Sequence, residues 1–181
     1  MLKPHLLIAI FAIGSILITS CSQKQQNSIA TITTQKICTT PIVSYQINSI
    51  SAGQFNDLQI TNEQILPSLK NALQQTNCFI ESNNNPLYNL KLVYGSIATK
   101  NTQGGFWSST SKDSAIIELQ IAFTDKNEER IFTPKAFFEN TKDHYLGLGD
   151  SSKLQPQHIQ DTLLNAIHSI ANQAAKTFMG F

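Results

Sequence analysis

Cys21 is the residue whose type and position predict the clearest chemistry. It follows a start that carries Lys3, an apolar run of about 13 residues over 6–18, and the small residues Thr19 and Ser20. This order is typical of a signal peptide that is cut before a cysteine whose thiol is then acylated. A helix that crosses a bilayer needs ~20 apolar residues. The sequence therefore predicts a signal peptide over 1–20 and a lipidated Cys21, with an ordinary secretory signal and a spanning helix as the alternatives.

Cys38 and Cys78 are the two other thiols of the chain. In an oxidising compartment, two cysteines left over after acylation favour a disulfide. Parallel neighbouring strands at 42–50 and 77–82 would place both cysteines at the same end of a sheet, within reach of each other. The alternative is two separately buried cysteines. The sequence has no CxxC pair, and neither thiol has a histidine near it, so redox catalysis is not predicted.

His144, with Asp143 or Asp150 and the serines around it, is the only group of residues that suggests a hydrolytic triad. The chain lacks the GxSxG turn, and short polar loops bring such residues together by chance. His158 and His168 are ten residues apart rather than at the i, i+4 spacing of helical zinc ligands. The sequence therefore predicts no enzyme, no metal site and no cofactor.

The composition limits the domain count and the class of partner. A net charge of +1 with 14% charged residues gives no basic field for nucleic acid, so no nucleic-acid partner is predicted. About 160 residues after cleavage suit one core. Residues 21–40 are rich in Gln, Thr and Ser and are predicted to form a polar tether, followed by a single globular domain over 41–181.

Hydrophobic periodicity predicts the elements of this domain. Residues 42–50, 77–82, 87–100, 114–124 and 130–139 alternate or run apolar as strands do, and 51–57, 101–112 and 141–154 are predicted loops. Thr61 and Gln64 have capping-box spacing before a first helix that contains Pro67. A second helix runs from Pro156 to Gly180.

This order of elements predicts an α+β fold. We expect a two-layer sandwich with a mostly antiparallel sheet of four to five strands, two helices on one face and the chain order β-α-β-β-β-β-α. Pro134 cannot donate to a ladder, so the strand over 130–139 is expected at the edge of the sheet.

Phe106 and Trp107 stand out within the predicted loop over 101–112. They follow two glycines and precede four hydroxyl residues, and Trp107 is the only tryptophan. An exposed aromatic pair on such a loop is costly unless it folds back on the domain, contacts a partner or enters a membrane interface. All three alternatives stay open, and both residues are candidates for a partner contact.

The segment Ile18-Thr19-Ser20-Cys21 resembles the lipobox of bacterial lipoproteins. Together with the order of elements, it makes the chain similar to small envelope lipoproteins of the YajG and LptE types, at the level of architecture. The resemblance implies acyl chains such as palmitate on Cys21. Ser22, rather than Asp, resembles the signal for transfer to the outer membrane, with the domain on the periplasmic face.

The function that this resemblance implies is a non-enzymatic binding or assembly module of the cell envelope. Its partners would be the membrane, through the lipid on Cys21, and an envelope protein. The alternative function is an accessory subunit of a lipid or lipopolysaccharide transport machine, which would need an apolar groove or a barrel partner.

Overall fold

A six-stranded mixed sheet and two helices make up the described part of the chain. The computed structural model describes residues 29–146, 148 and 152–180. Its elements in chain order are β1 (Val43–Asn56), α1 (Asn62–Gln75), β2 (Phe79–Glu81), β3 (Tyr88–Gly104), β4 (Ser108–Thr124), β5 (Glu129–Phe132), β6 (Lys135–Tyr145) and α2 (Pro156–Met179). The predicted α+β class is confirmed, with six strands where four to five were expected.

The strands lie in the order β2-β1-β3-β4, and β5 and β6 both pair with the free edge of β4. β1 is parallel to β2 and β3, whereas the pairs from β3 onward are antiparallel. The chain from β2 to β3 crosses β1, and there Leu87 donates its N–H to Ser44 Oγ over 3.0 Å. Because the neighbours of Ser44 are buried under the helices, this crossing lies on the opposite face.

The two helices begin and end at residues that the sequence marks. Thr61 donates its N–H to Gln64 Oε1 over 2.9 Å at the start of α1, as the capping-box spacing predicts. α1 continues through Pro67 to Gln75. Gly180 ends α2 in the left-handed region with φ of 84°. Both helices cover the same face of the sheet and pack against each other.

The core between the layers centres on Phe123. Its ring stacks on Phe79 at 5.4 Å and meets Phe178 of α2 edge-on at 5.3 Å. Arg130 lies over the outer side of the Phe178 ring at 4.6 Å. Each fully buried side chain of this kind stabilises the fold by ~1.5–3 kcal/mol, so this cluster fixes the position of α2 on the sheet.

Several predicted boundaries are wrong, because strands continue into predicted loops and one predicted strand is divided. β1 extends to Asn56 through the predicted loop over 51–57. Most of the predicted loop over 101–112 is also strand, because β3 continues to Gly104 and β4 begins at Ser108. The strand predicted over 130–139 is two strands that separate at Pro134, whose carbonyl accepts the N–H of Leu119. β6 then runs to Tyr145, into the predicted loop over 141–154. These polar segments form strands because the backbone of each hydrogen-bonds to a neighbouring strand. Such pairing does not depend on alternating apolar residues, so hydrophobic periodicity does not predict it.

Residues 30–38, here named the strap, lie along α2. Asn165 and Asn172 each use both amide atoms on the strap backbone, at 2.7–2.9 Å, and His168 donates to the carbonyl of Ile32. These three side chains have i, i+3, i+7 spacing and so share one face of the helix. The described half of the predicted tether over 21–40 therefore lies on the domain.

The strap ends at the predicted disulfide, which is present. Cys38 and Cys78 are bonded, with Cα atoms 5.0 Å apart, and both are buried. The parallel pairing of β1 with β2 starts at Val43 and Phe79, so both strands begin at the same end of the sheet, as expected. The predicted signal peptide and Cys21 lie outside the described residues. Among the described helices, none has the length and apolar character needed to cross a membrane.

Candidate binding surfaces

Of the described residues considered for a hydrolytic triad, a serine and the histidine come together but Asp143 does not join them. Ser111 Oγ lies 2.9 Å from His144 Nε2, but Ser111 is buried and also accepts the N–H of Ser152. Asp143 points to the other face of β6, where it accepts the hydroxyl of Thr110 at 2.7 Å. Asp150 lies outside the described residues. The serine and histidine therefore form part of a buried hydrogen-bond network beneath the strand.

Metal ligands were not expected, and over residues 29–146, 148 and 152–180 no three His, Cys, Asp or Glu side chains converge on one point. Burial, followed by the charge of nearby Glu81, raises the pKa of Tyr45 to about 12. Burial also raises the pKa of Tyr94. Both tyrosines point into the core, so these shifts concern stability rather than a reactive site.

The far end of the β3–β4 hairpin carries a group of exposed apolar side chains, here named the aromatic tip. Its members in the described part of the chain are Phe106, Trp107, Tyr145, Leu146 and Leu148. Phe106 and Trp107 are 69% and 75% exposed and contact each other edge-to-face at 5.6 Å. They do not fold back on the domain, so the partner and membrane alternatives remain.

Two adjoining turns hold the aromatic tip in place. Gly105 donates its N–H to Ser108 at the end of the hairpin, and Leu146 donates its N–H to the carbonyl of Trp107 over 3.2 Å. Gly104 has φ of 113°, and a Cβ there would lie 2.4 Å from the carbonyl oxygen of Ser108. Only glycine fits this position without displacing the backbone.

The members of the aromatic tip at the end of β6 and beyond it are not evident from the sequence. Tyr145, Leu146 and Leu148 fall in a segment predicted to be a loop, and β6 pairs Tyr145 with Ser108 beside the hairpin turn. The only signal in the sequence is three large apolar residues within four positions of a polar segment. Their proximity to Phe106 depends on register, which the sequence does not show.

Charged side chains near the aromatic tip follow the ladder in order. Residues 101–111 carry no charge. The last pair of the hairpin is Gly104 with Ser109, and counted back along the ladder from that pair, Lys142 lies two positions away, Lys112 three and Lys100 four. Asp143 lies one position behind that pair. Asp113 lies opposite Lys100 in the ladder, and Glu139 forms an ion pair with Lys112 at 3.3 Å. The tip is therefore an apolar end followed by a polar band and then by charges of both signs.

A second apolar surface lies on the face of the sheet opposite the helices. Ile97, Ile116 and Phe137 are in register across β3, β4 and β6, and Phe55 and Val93 continue the row toward β1. We name these five residues the outer stripe. On β3, β4 and β6 the adjacent residues Ser96, Ala115, Ile117 and Phe138 are buried on the other face, so alternation directs this part of the outer stripe to solvent, and Phe55 is itself exposed.

The cleft at the β1 end of the outer stripe depends on two glycines. β1 bulges between Ala52 and Asn56 over β3, where a Cβ on Gly53 would lie 3.3 Å from the carbonyl oxygen of Tyr94. A Cβ on Gly95 would lie 3.1 Å from the carbonyl oxygen of Phe55. This close approach leaves an open apolar cleft of about 180 Å³ beside Phe55.

Ion pairs border the outer stripe on both sides. Lys135 pairs with Glu118 at 3.2 Å on one side, and Lys112 pairs with Glu139 at 3.3 Å on the other. These pairs are exposed and each contributes at most ~1 kcal/mol to stability. Their effect on the surface is to surround an apolar centre with neutralised polar groups.

No family model and no curated protein matches the chain. Similar solved structures include a neuraminyllactose-binding hemagglutinin homolog from Helicobacter pylori, at 11% identity and a TM-score of 0.42 over 82% of this chain and 91% of that one. A Xanthomonas campestris protein described as DUF330 has 13% identity and a TM-score of 0.41, covering 82% and 94%. A minor lipoprotein from Acinetobacter baumannii has 12% identity and a TM-score of 0.30, covering 77% and 89%. At these scores the similarities carry no argument about function.

Proposed function

We propose that the chain is an outer-membrane lipoprotein that works as a non-enzymatic binding or assembly module for an envelope protein. Acyl chains such as palmitate on Cys21 anchor it, and the domain faces the periplasm. The signal-peptide pattern before Cys21 supports the anchor. The outer stripe is the observation that carries the binding role. Phe106 and Trp107 contact a further envelope component.

The outer stripe has the anatomy of a protein interface. Ile97 and Phe137 are large apolar side chains in register on the sheet face, Phe55 lies beside them in the bulge of β1, and all three are exposed. Protein interfaces typically have an apolar centre enriched in aromatic residues and a polar rim. The Lys135–Glu118 and Lys112–Glu139 pairs supply such a rim. We therefore assign the envelope protein to this face.

The alternative function, an accessory subunit of a lipid or lipopolysaccharide transport machine, has one observation in its favour. The apolar cleft beside Phe55 opens to solvent and could take part of an acyl chain. Its volume of about 180 Å³ lies below the ~300–1,000 Å³ of sites that enclose small ligands. This small cleft volume favours contact with a protein surface over the enclosure of a lipid.

The test of the binding role is crosslinking in cells followed by capture of the lipidated full chain. Ile97→Thr with Phe137→Thr should remove a crosslinked envelope protein, because both side chains lie in the outer stripe. Ile131→Thr is the matched control, since Ile131 is an exposed isoleucine of β5 outside the stripe. Equal capture by the stripe variant and wild type would contradict the assignment. Specific co-purification of a lipid by the wild type, lost in the stripe variant, would favour the transport alternative.

Two further measurements test the anchor and the lack of catalysis. Mass spectrometry of the N-terminal peptide should show an acylated Cys21, and an unmodified thiol would reject lipidation. His144→Gln should leave the cellular phenotype of the wild type intact. Loss of that phenotype with normal folding would instead support a catalytic role for the Ser111–His144 pair.

A further inference from the structure

The side chains of the aromatic tip differ in kind from those of the outer stripe. The tip combines a tryptophan, a tyrosine, a phenylalanine and two leucines at a convex end, with no ion pair beside them in the described residues. Tryptophan and tyrosine prefer the boundary between hydrocarbon and water, because their rings are apolar and each carries one polar group. A projecting group of this composition fits a lipid surface better than the flat stripe does.

The order of charges along the ladder matches the depth profile of a bilayer surface. At ~3.4 Å per residue, Lys142, Lys112 and Lys100 lie ~7, ~10 and ~14 Å behind the last hairpin pair. Interfacial segments bury their apolar side ~5–10 Å deep, with charged residues behind them at the level of the headgroups. Lys112 is paired with Glu139 and Lys100 lies opposite Asp113, so these side chains mark the polar limit of the tip rather than a basic patch. Asp143 lies only ~3 Å behind that pair, so it limits insertion to the turns.

The turns present these side chains in one arrangement before any contact is made. The bond from Leu146 to the carbonyl of Trp107 ties the end of β6 to the hairpin turn. A surface that is already ordered loses less conformational freedom when it binds. The fixed turn therefore favours binding by the tip as a unit.

The reach of the N-terminal chain allows the tip and the proposed anchor to share one membrane. Ile29 and Ala30 border the same surface depression as Phe137, and β6 covers ~27 Å from Phe137 to Tyr145. Cys21 is eight residues before Ile29, which gives a maximum reach of ~28 Å. An acyl chain on Cys21 can therefore lie at the depth of the tip.

We infer that the aromatic tip is a membrane-binding site that inserts the side chains of Phe106, Trp107, Tyr145, Leu146 and Leu148 into the interface of a phospholipid bilayer. The tip binds the lipid surface through its own side chains. Its placement beside the acyl anchor rests on the proposed lipidation of Cys21. In the anchored protein, the two attachments together hold the long axis of the hairpin toward the membrane.

The experiment uses the mature chain with Cys21→Ser, so that no acyl chain contributes. The probe is vesicles of phosphatidylethanolamine and phosphatidylglycerol. Trp107 is the only tryptophan, so its fluorescence reports the tip alone. We expect its emission to shift to the blue with vesicles and to be quenched by lipids brominated near the headgroup. Unchanged emission together with no sedimentation with vesicles would overturn the inference.

Matched variants keep the reporter and locate the contact. Phe106→Ser with Leu148→Ser should weaken vesicle binding at least tenfold, whereas Ile97→Thr with Phe137→Thr should leave it unchanged. Circular dichroism and thermal unfolding check that each variant folds. Asp143→Asn should strengthen binding several-fold by removing a negative charge that the ladder places one position behind the last hairpin pair. Equal binding by the tip variant and wild type would overturn the inference.

Two other results separate this inference from its alternatives. If vesicles are not bound and Phe106→Ser with Leu148→Ser removes a crosslinked envelope protein, the tip contacts a protein and the inference is wrong. If Cys21 proves unmodified in cells, the proposed anchor fails, while vesicle binding by the unlipidated chain still decides the role of the tip.

Discussion

Removing the disulfide should lower the stability of the domain by a large amount. Cys38 and Cys78 close a loop with a sequence separation of 40 residues. In the chain-entropy description, opening such a loop lowers the free energy of unfolding by about 4 kcal/mol. Domains are stable by ~5–15 kcal/mol in total, so this is a large share. For a domain of this size the melting temperature should fall by about 10 °C.

The double variant Cys38→Ala, Cys78→Ala in the mature chain is measured by urea unfolding followed by circular dichroism. The midpoint should fall, and the urea dependence should increase because the unfolded chain becomes less compact. Wild type in excess reductant is the control and should match the variant. A loss below about 1 kcal/mol would refute the reasoning, since it would mean that the unfolded chain is not restricted by the bridge.

Three further predictions concern the strap, the hairpin turn and a buried tyrosine. Asn172→Ala removes two hydrogen bonds to the strap, so amide exchange over 33–37 should become faster, at a cost of about 1 kcal/mol, without faster exchange in the core. Gly104→Ala should destabilise the hairpin end by ~1–3 kcal/mol because its Cβ meets the Ser108 carbonyl, whereas Gly105→Ala, in open space, should have little effect in thermal unfolding. The pKa of Tyr45 is about 12 in the folded state and 10.0 in the unfolded chain. The protonated phenol therefore makes its full contribution to the stability of the fold below pH 10, and this contribution is lost as the pH rises from 10 to 12. Wild type should therefore lose up to about 3 kcal/mol more than Tyr45→Phe over this range, and parallel curves would contradict the pKa shift.

The fold class could be predicted because local signals agree with the final packing. The capping residues at Thr61 and Gln64, the apolar stripe of α2 and Gly180 each mark a helix by themselves. Alternation over 87–100 and 114–124 likewise predicts two strands, which pair antiparallel from Asn89 to Gly104 in the structure. Caps, apolar stripes and alternation all depend on residues that are close together in the sequence, so hydrophobic periodicity is enough to predict them.

The binding surfaces could not be predicted as surfaces, because they depend on register between distant residues. Phe106 and Trp107 are unusual enough to be noticed, but Tyr145 joins them only through the pairing of β6 with β4. Ile97, Ile116 and Phe137 are each single apolar residues on a polar face, and only in the assembled sheet do they form a row. Pro134 predicted an edge, but not that two strands would share it.

The strap escaped prediction for a related reason. Its own side chains are mostly polar, and its bonds come from Asn165 and Asn172, more than 130 residues later in the chain. A segment held by its backbone shows no hydrophobic pattern. Gln, Thr and Ser are typical of linkers as well as of such segments, so composition alone favoured a tether.

The position of the strap determines where the folding unit begins. A protein started at Pro41 would keep every helix and strand, yet it would leave Cys78 with a free thiol inside the core. The carbonyl of Thr76 would lose both donors that the strap supplies, from Ile37 and Cys38. The side-chain amides of Asn165 and Asn172 on α2 would lose their partners in the strap and hydrogen-bond to water instead. The apolar surface beneath residues 30–38 would be exposed. The nine residues of the strap thus belong to what must fold together, and truncation at Pro41 would leave the thiol of Cys78 without its partner.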